Sequence, residues 1–197
     1  ADGCGALVAG RLVLTSARAL WQCIEHGMDQ GVPAGEARLV RVRAGRGMCL
    51  LRPAAVELVA DLGVLAAPEG DGSRRGPDVW GAFCQRTEGL RVGTGLESGE
   101  PFAVYLSTPD GYWLAATAAR EREEAIGVYA ELDGGVKDEL TVGPIVDEAG
   151  TLLGVGCCLR RSGGGLRGVL PCLPGVLPGW VARRVGAARV RLPTLLA

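Results

Sequence analysis

The sequence has no excess of charge of either sign: 21 Lys and Arg stand against 22 Asp and Glu, a formal net charge of −1 over 197 residues. A protein that binds nucleic acid by neutralising phosphates needs a basic surplus, so that class of partner is set aside. No stretch approaches the roughly 18 uninterrupted apolar residues of a membrane-spanning helix. The opening Ala1-Asp2-Gly3-Cys4 also lacks the basic start and apolar run of a cleavable signal. There is one histidine, and none of the seven cysteines (Cys4, Cys23, Cys49, Cys84, Cys157, Cys158, Cys172) falls in a CxxC pair, so a metal site is not expected. A cofactor is not expected either. The Gly-rich Ser162-Gly-Gly-Gly165 behind Arg160-Arg161 is followed by no helix start with Lys-Ser/Thr, and it reads as a hairpin tip instead of a phosphate cradle. Aromatic residues make up only 5%, and Lys137 is the lone lysine among the basic residues, a bias without structural message.

What is present is enough to fold. Hydrophobic residues make up 48% and charged residues 22%, a balance suited to a packed core. The 32 glycines and 11 prolines punctuate the chain every few residues, which favours many short strands joined by turns. Residues 4–20 read as two apolar strands around Ala9-Gly10-Arg11, and residues 18–28 as one or two helical turns. Residues 36–44 alternate Arg with Leu and Val, the period of a strand with one wet face. Arg38, Arg41 and Arg43 there read as that solvated face. The polar segment EGDGSRRGPD at 69–78 is the natural linker. After it, residues 79–84, 89–94, 101–107, 112–118, 126–132, 143–146, 151–158 and 166–173 read as further short strands, with the charged run 119–125 as a solvated loop or a single helical turn. Residues 178–185 read as a short helix, with Arg183, Arg184, Arg189 and Arg191 complementing its dipole. The odd number of cysteines leaves at least one thiol without a partner inside the chain. Buried thiols and disulfides both suit this set, so secreted and intracellular compartments both stay open.

Four segments carry a resemblance. Cys4-Gly-Ala-Leu…Val13-Leu-Thr-Ser-Ala-Arg18 is similar to a strand pair ending in L-T-A-A-H. Asp61-Leu-Gly-Val-Leu65 is similar to D-(I/L)-A-L-L. Gly143-Pro-Ile-Val…Gly-Thr-Leu-Leu-Gly-Val155 is similar to the hairpin G-D-S-G-G-P-(L/V)-V…G-x-(L/V)-V-G. The tail Arg167-Gly-Val-Leu…Pro178-Gly-Trp-Val181 is similar to P-G-V-Y-T…W-I. In this order they resemble the chymotrypsin-like (trypsin-like) serine protease family over residues 4 to about 185. The resemblance implies an all-β fold of two packed antiparallel β-barrels with a short C-terminal helix. The expected layout is an N-terminal barrel over 1–70 with its first strand missing, a linker at 71–78, a C-terminal barrel over 79–176, and a helix and tail over 177–197. It also implies family-like disulfides: Cys4 to Cys23 by a small shift, and Cys157 or Cys158 to Cys172.

Carried over residue by residue, the family's base falls on Arg18, its orienting acid on Asp61 and its nucleophile on Thr141. A guanidinium keeps its proton at physiological pH and cannot accept another. Thr141 lies between Leu140 and Val142, where the family has Asp and Gly, so both the activation contact and the Gly-rich oxyanion turn are altered. Asp61 alone keeps the family's residue type. Triad members act as a unit, so no catalytic set is intact and the expectation is a non-enzyme: a proteolytically inactive homologue, or pseudoprotease. Its kept fold is expected to serve as a protein-binding or scaffolding domain for a protein partner or a companion domain of a larger chain. Arg18 is further expected to form a salt bridge with Asp61. The rival expectation is an active peptidase of a viral or bacterial branch, with Thr141 or a cysteine (Cys157, Cys158) as nucleophile and His26 as base.

Overall fold

Two short apolar segments with a glycine between them begin the fold. β1 (Gly5–Val8) and β2 (Leu12–Ser16) pair antiparallel with Gly5 opposite Thr15 and Val8 opposite Leu12. Gly10 turns the chain at φ +75°, a conformation only glycine adopts without strain. We describe a computed structural model of the chain over residues 4–29, 39–58, 61–68, 78–93, 102–107, 112–124, 127–133, 139–141, 143–155, 158–162, 165–167, 169–172 and 179–184.

Helix α1 (Ala17–Asp29) follows β2 directly. It is longer than the one or two turns read from the sequence. Ser16 Oγ accepts the Ala19 N–H at 3.0 Å and caps its start. Leu20, Cys23 and Ile24 then recur at helical spacing and pack inward. β3 (Val40–Ala44), β4 (Gly47–Glu57) and β5 (Leu62–Ala66) complete a five-stranded sheet in the order β1-β2-β5-β4-β3. Pro53 sits inside β4, where the register against β5 shifts, the kind of irregularity that tolerates a missing N–H.

Residues 79–84, read as a strand, are instead helical: α2 spans Val79–Arg86. Asp78 Oδ1 accepts the Gly81 N–H at 2.7 Å, and Trp80, Phe83 and Cys84 present one apolar stripe to the sheet. Cap and stripe outweigh the β-prone Val and Trp. The second half is built from β6 (Phe102–Ser107), β7 (Trp113–Glu124), β8 (Gly127–Asp133), β9 (Glu139–Thr141), β10 (Pro144–Asp147), β11 (Leu152–Val155), β12 (Cys158–Ser162), β13 (Gly165–Arg167) and β14 (Val169–Cys172), followed by α3 (Gly179–Arg184). β7 runs through the charged stretch read as a loop or helical turn, because β8 pairs with it as far as Glu124. The strand orders are β11-β10-β6-β7-β8-β14 and β13-β12-β9, all pairings antiparallel. Ser162 lies opposite Gly165, the hairpin read from the glycine run.

β2 and β5 are buried along their whole length. A strand covered on both faces must serve two cores, and period-2 alternation divides them. Leu12, Leu14, Leu62 and Val64 join Val146, Leu152 and Val155 of the second half and Val181 of α3 in one cluster. Val13 and Leu65 face the other way, into a cluster with Leu20, Val40, Leu51 and Trp80. The first cluster is what locks the two sheets together. Among the described residues, no helix is long and apolar enough to cross a membrane. Leu14, fully buried between the sheets, is expected to cost about 2–5 kcal/mol on Leu14→Ala. Leu50→Ala on the outer face of β4, where Leu50 is 40% exposed, is expected to cost less than about 1 kcal/mol. Urea unfolding of the two variants measures both.

Candidate functional site

The junction of β2, α1 and β5 holds the first two sequence-predicted positions. Asp61 immediately precedes β5 in a left-handed conformation, φ +48°, which Asp tolerates better than most residues. From there its main-chain carbonyl accepts the Ala17 N–H at 3.0 Å, and its carboxylate Oδ1 accepts the Arg18 N–H at 2.8 Å. These are first-turn amides of α1, which have no partner inside the helix. Asp61 and Ser16 thus share the capping of α1, and the carboxylate is locked beside residue 18.

The Arg18 side chain is exposed. The expected guanidinium–carboxylate salt bridge is therefore corrected: the contact runs through the Arg18 main chain, because a helix start offers amides closer than the end of a long side chain. Burial pushes the Asp61 carboxyl above its ordinary value of 3.8, while the Arg18 N–H, the Arg18 charge and the Ala17 N–H draw it back down.

Thr141 lies on the second half, at the end of β9, opposite Cys158 of β12. A close contact carries this segment toward the first half. Gly143 stands against Cys4, where an added Cβ would lie 2.5 Å from the cysteine Cβ, and its N–H donates to the Ser107 carbonyl at 2.6 Å. Only a residue without a side chain fits that approach. The Cys4 carbonyl in turn accepts the Thr15 hydroxyl at 2.8 Å, three residues before Arg18. Thr141 is two residues from Gly143, at most about 7 Å of extended chain. Sequence reasoning missed Ser16 as a cap and Gly143 as a contact. Their signals were a Ser just before a helical run and a Gly-Pro at a strand start.

His26 lies on α1, eight residues beyond Arg18, about 12 Å of helical rise. Cys4, Cys23, Cys49 and Cys84 form no disulfide among the described residues, so the expected Cys4–Cys23 bridge is absent. Cys157 lies outside the described residues, and Cys158 and Cys172 enter only through strand register. No group of three or more His, Cys, Asp or Glu that could hold a metal ion occurs among the described residues.

No family model and no curated protein matches the chain. Solved structures do. The chain is similar to the Rv3671c protease of M. tuberculosis in its active form, with 17% identity over 93% of this chain and 73% of that one, TM-score 0.52. The inactive form of the same protease is matched with 17% identity over 93% and 83%, TM-score 0.54. The serine protease of human pathogenic astrovirus is matched with 13% identity over 87% and 84%, TM-score 0.50. The chain has the chymotrypsin-like serine protease fold. One expectation is corrected by this finding: the fold is one on which a protease has been solved in its active form, and the reading of the chain as a non-enzyme is overturned.

The Asp61 shift has a sign. The folded chain holds this proton more tightly than the unfolded chain, so the group's favourable contribution is fully present below about pH 4 and is lost as pH rises through the raised value. Asp61→Asn keeps an acceptor and loses the charge. Its stability is expected to rise relative to the parent between pH 4 and pH 7. Asp61→Ala removes the acceptor and is expected to cost about 1–2 kcal/mol at both pH values. Urea unfolding at the two pH values separates these outcomes.

Proposed function

We propose that this chain is a protein-binding domain built on the serine protease fold, taking a polypeptide segment of a protein partner, or of a companion domain, at the surface beside Arg18 and Asp61. The observation that carries the reading is the exposed Arg18 side chain, anchored by its main-chain N–H, which donates to the Asp61 carboxylate. An exposed guanidinium is a permanent cation suited to a fork of hydrogen bonds to a carboxylate of a bound segment. It is unsuited to accepting a proton, so hydrolysis in the same place needs an acceptor other than residue 18.

A second reading, an active peptidase with a non-standard site, is favoured by one specific observation. Thr141 and Cys158, a hydroxyl and a thiol residue, are direct partners on adjacent strands.

Fluorescein-labelled casein, an unfolded acidic polypeptide, tests both readings in one experiment. The binding reading expects a rise in anisotropy, weakened about five- to tenfold by Arg18→Ala. No rise, or a rise indifferent to that substitution, contradicts it. The peptidase reading expects acid-soluble fragments whose release is lost in Thr141→Ala or Cys158→Ala. Intact casein contradicts that one.

A further inference from the structure

The five-stranded sheet ends on β3, which pairs with β4 and with no other strand among the described residues. Its inward side chains are Val40, Val42 and Ala44. Val40 and Ala44 are buried, whereas Val42 between them is only partly buried, although it packs on the same cluster. At the opposite edge of the sheet, Leu7 of β1 packs on that cluster and is likewise only partly covered. The core of the first half therefore runs out toward both sheet edges.

The outer side of β3 carries Arg41 and Arg43, both exposed. Their cross-strand partners are Leu50 and Met48, which are 40% and 49% exposed. Neither arginine faces a carboxylate across the strand pair. Arg46, in the connecting turn, adds a third exposed cation to this end of a chain whose net charge is −1. Like charges two residues apart on one face repel, and neither cross-strand partner, Leu50 or Met48, offsets them.

We propose that β3 is a docking edge for an extended polypeptide segment that alternates acidic and apolar residues and adds to the sheet as a further strand. Main-chain N–H and C=O groups along an open edge supply the pairing, and alternate side chains supply the selectivity. Alternate residues of any strand are about 6.4–6.8 Å apart. Two acids separated by one residue thus match Arg41 and Arg43 in register, while the residue between them falls on the inner side next to Val42. A second copy of this chain is the wrong occupant, because two β3 edges would bring their arginines together, the device by which edge strands avoid self-pairing. The large exposed apolar side chains among the arginines suit a peptide better than a phosphate backbone.

The test uses fluorescein-labelled octapeptides and the full chain. A peptide alternating Glu and Val is expected to bind, more weakly as salt rises. Arg41→Glu/Arg43→Glu is expected to weaken it about tenfold or more with an unchanged melting temperature. The alternating Lys-Val peptide is expected not to bind, and a block peptide of four Glu then four Val is expected to bind at least about tenfold more weakly and to be indifferent to the double substitution. The fall in the alternating peptide's affinity is read in a double variant that keeps Arg18, which separates this edge from the surface beside Asp61. Equal binding of the block peptide, an undiminished affinity in the double variant, or tighter binding of an oligouridylate through the same arginines would overturn the proposal.

Discussion

The hydrogen bonds from the start of α1 to Asp61 are the constraint on which the candidate site depends. They tie together three segments remote in sequence: the end of β2, the first turn of α1 and the residue before β5. A helix start presents unpaired amides whatever its side chains are, so the tie is indifferent to the identity of residue 18. An arginine can therefore occupy this position with its main chain held in place and its side chain at the surface. The fold and the chemistry of the position are separable for that reason.

The tie holds because the strands behind it cannot move. β2 and β5 are buried on both faces and divide their side chains between the core inside the first sheet and the core shared with the second half and α3. A shift of either strand by one residue would exchange the two sets and expose both cores. The contact of Gly143 with Cys4 fixes the segment after Thr141 against the same strands. Two halves that share side chains in this way hold the fold together, even at 17% identity to proteins of the same fold.

Much of the architecture was legible in the residues. Glycine and proline spacing announced short strands, and the alternation within 36–44 announced β3 with its wet face over 40–44, residues 36–38 lying outside the described residues. The misreadings came from local features overridden by neighbours. Residues 79–84 look strand-like until Asp78 is recognised as a cap. The charged stretch at 119–124 looks like a loop until β8 pairs with it. At the site, position 61 was readable because an acid before an apolar strand is informative, and position 18 because its place after Leu-Thr-Ser-Ala is. The mode of contact between them was not: a sequence shows the charges of Arg and Asp but not which main-chain amide lies nearer. The inference from an altered catalytic set to a non-enzyme went beyond what side-chain identities can carry, since activity belongs to an arrangement and three named positions do not exhaust the groups around them.

The central claim is that residue 18 is held beside the Asp61 carboxylate by the backbone, whatever its side chain. The most direct measurement is a proton NMR titration of the imidazole introduced by Arg18→His, in a chain whose only other histidine is His26. A carboxylate held close by favours the imidazolium, so the account predicts titration above the ordinary value of about 6.5. Adding Asp61→Asn is predicted to return it to that value. An imidazole that titrates at the ordinary value and does not respond to Asp61→Asn would contradict the account.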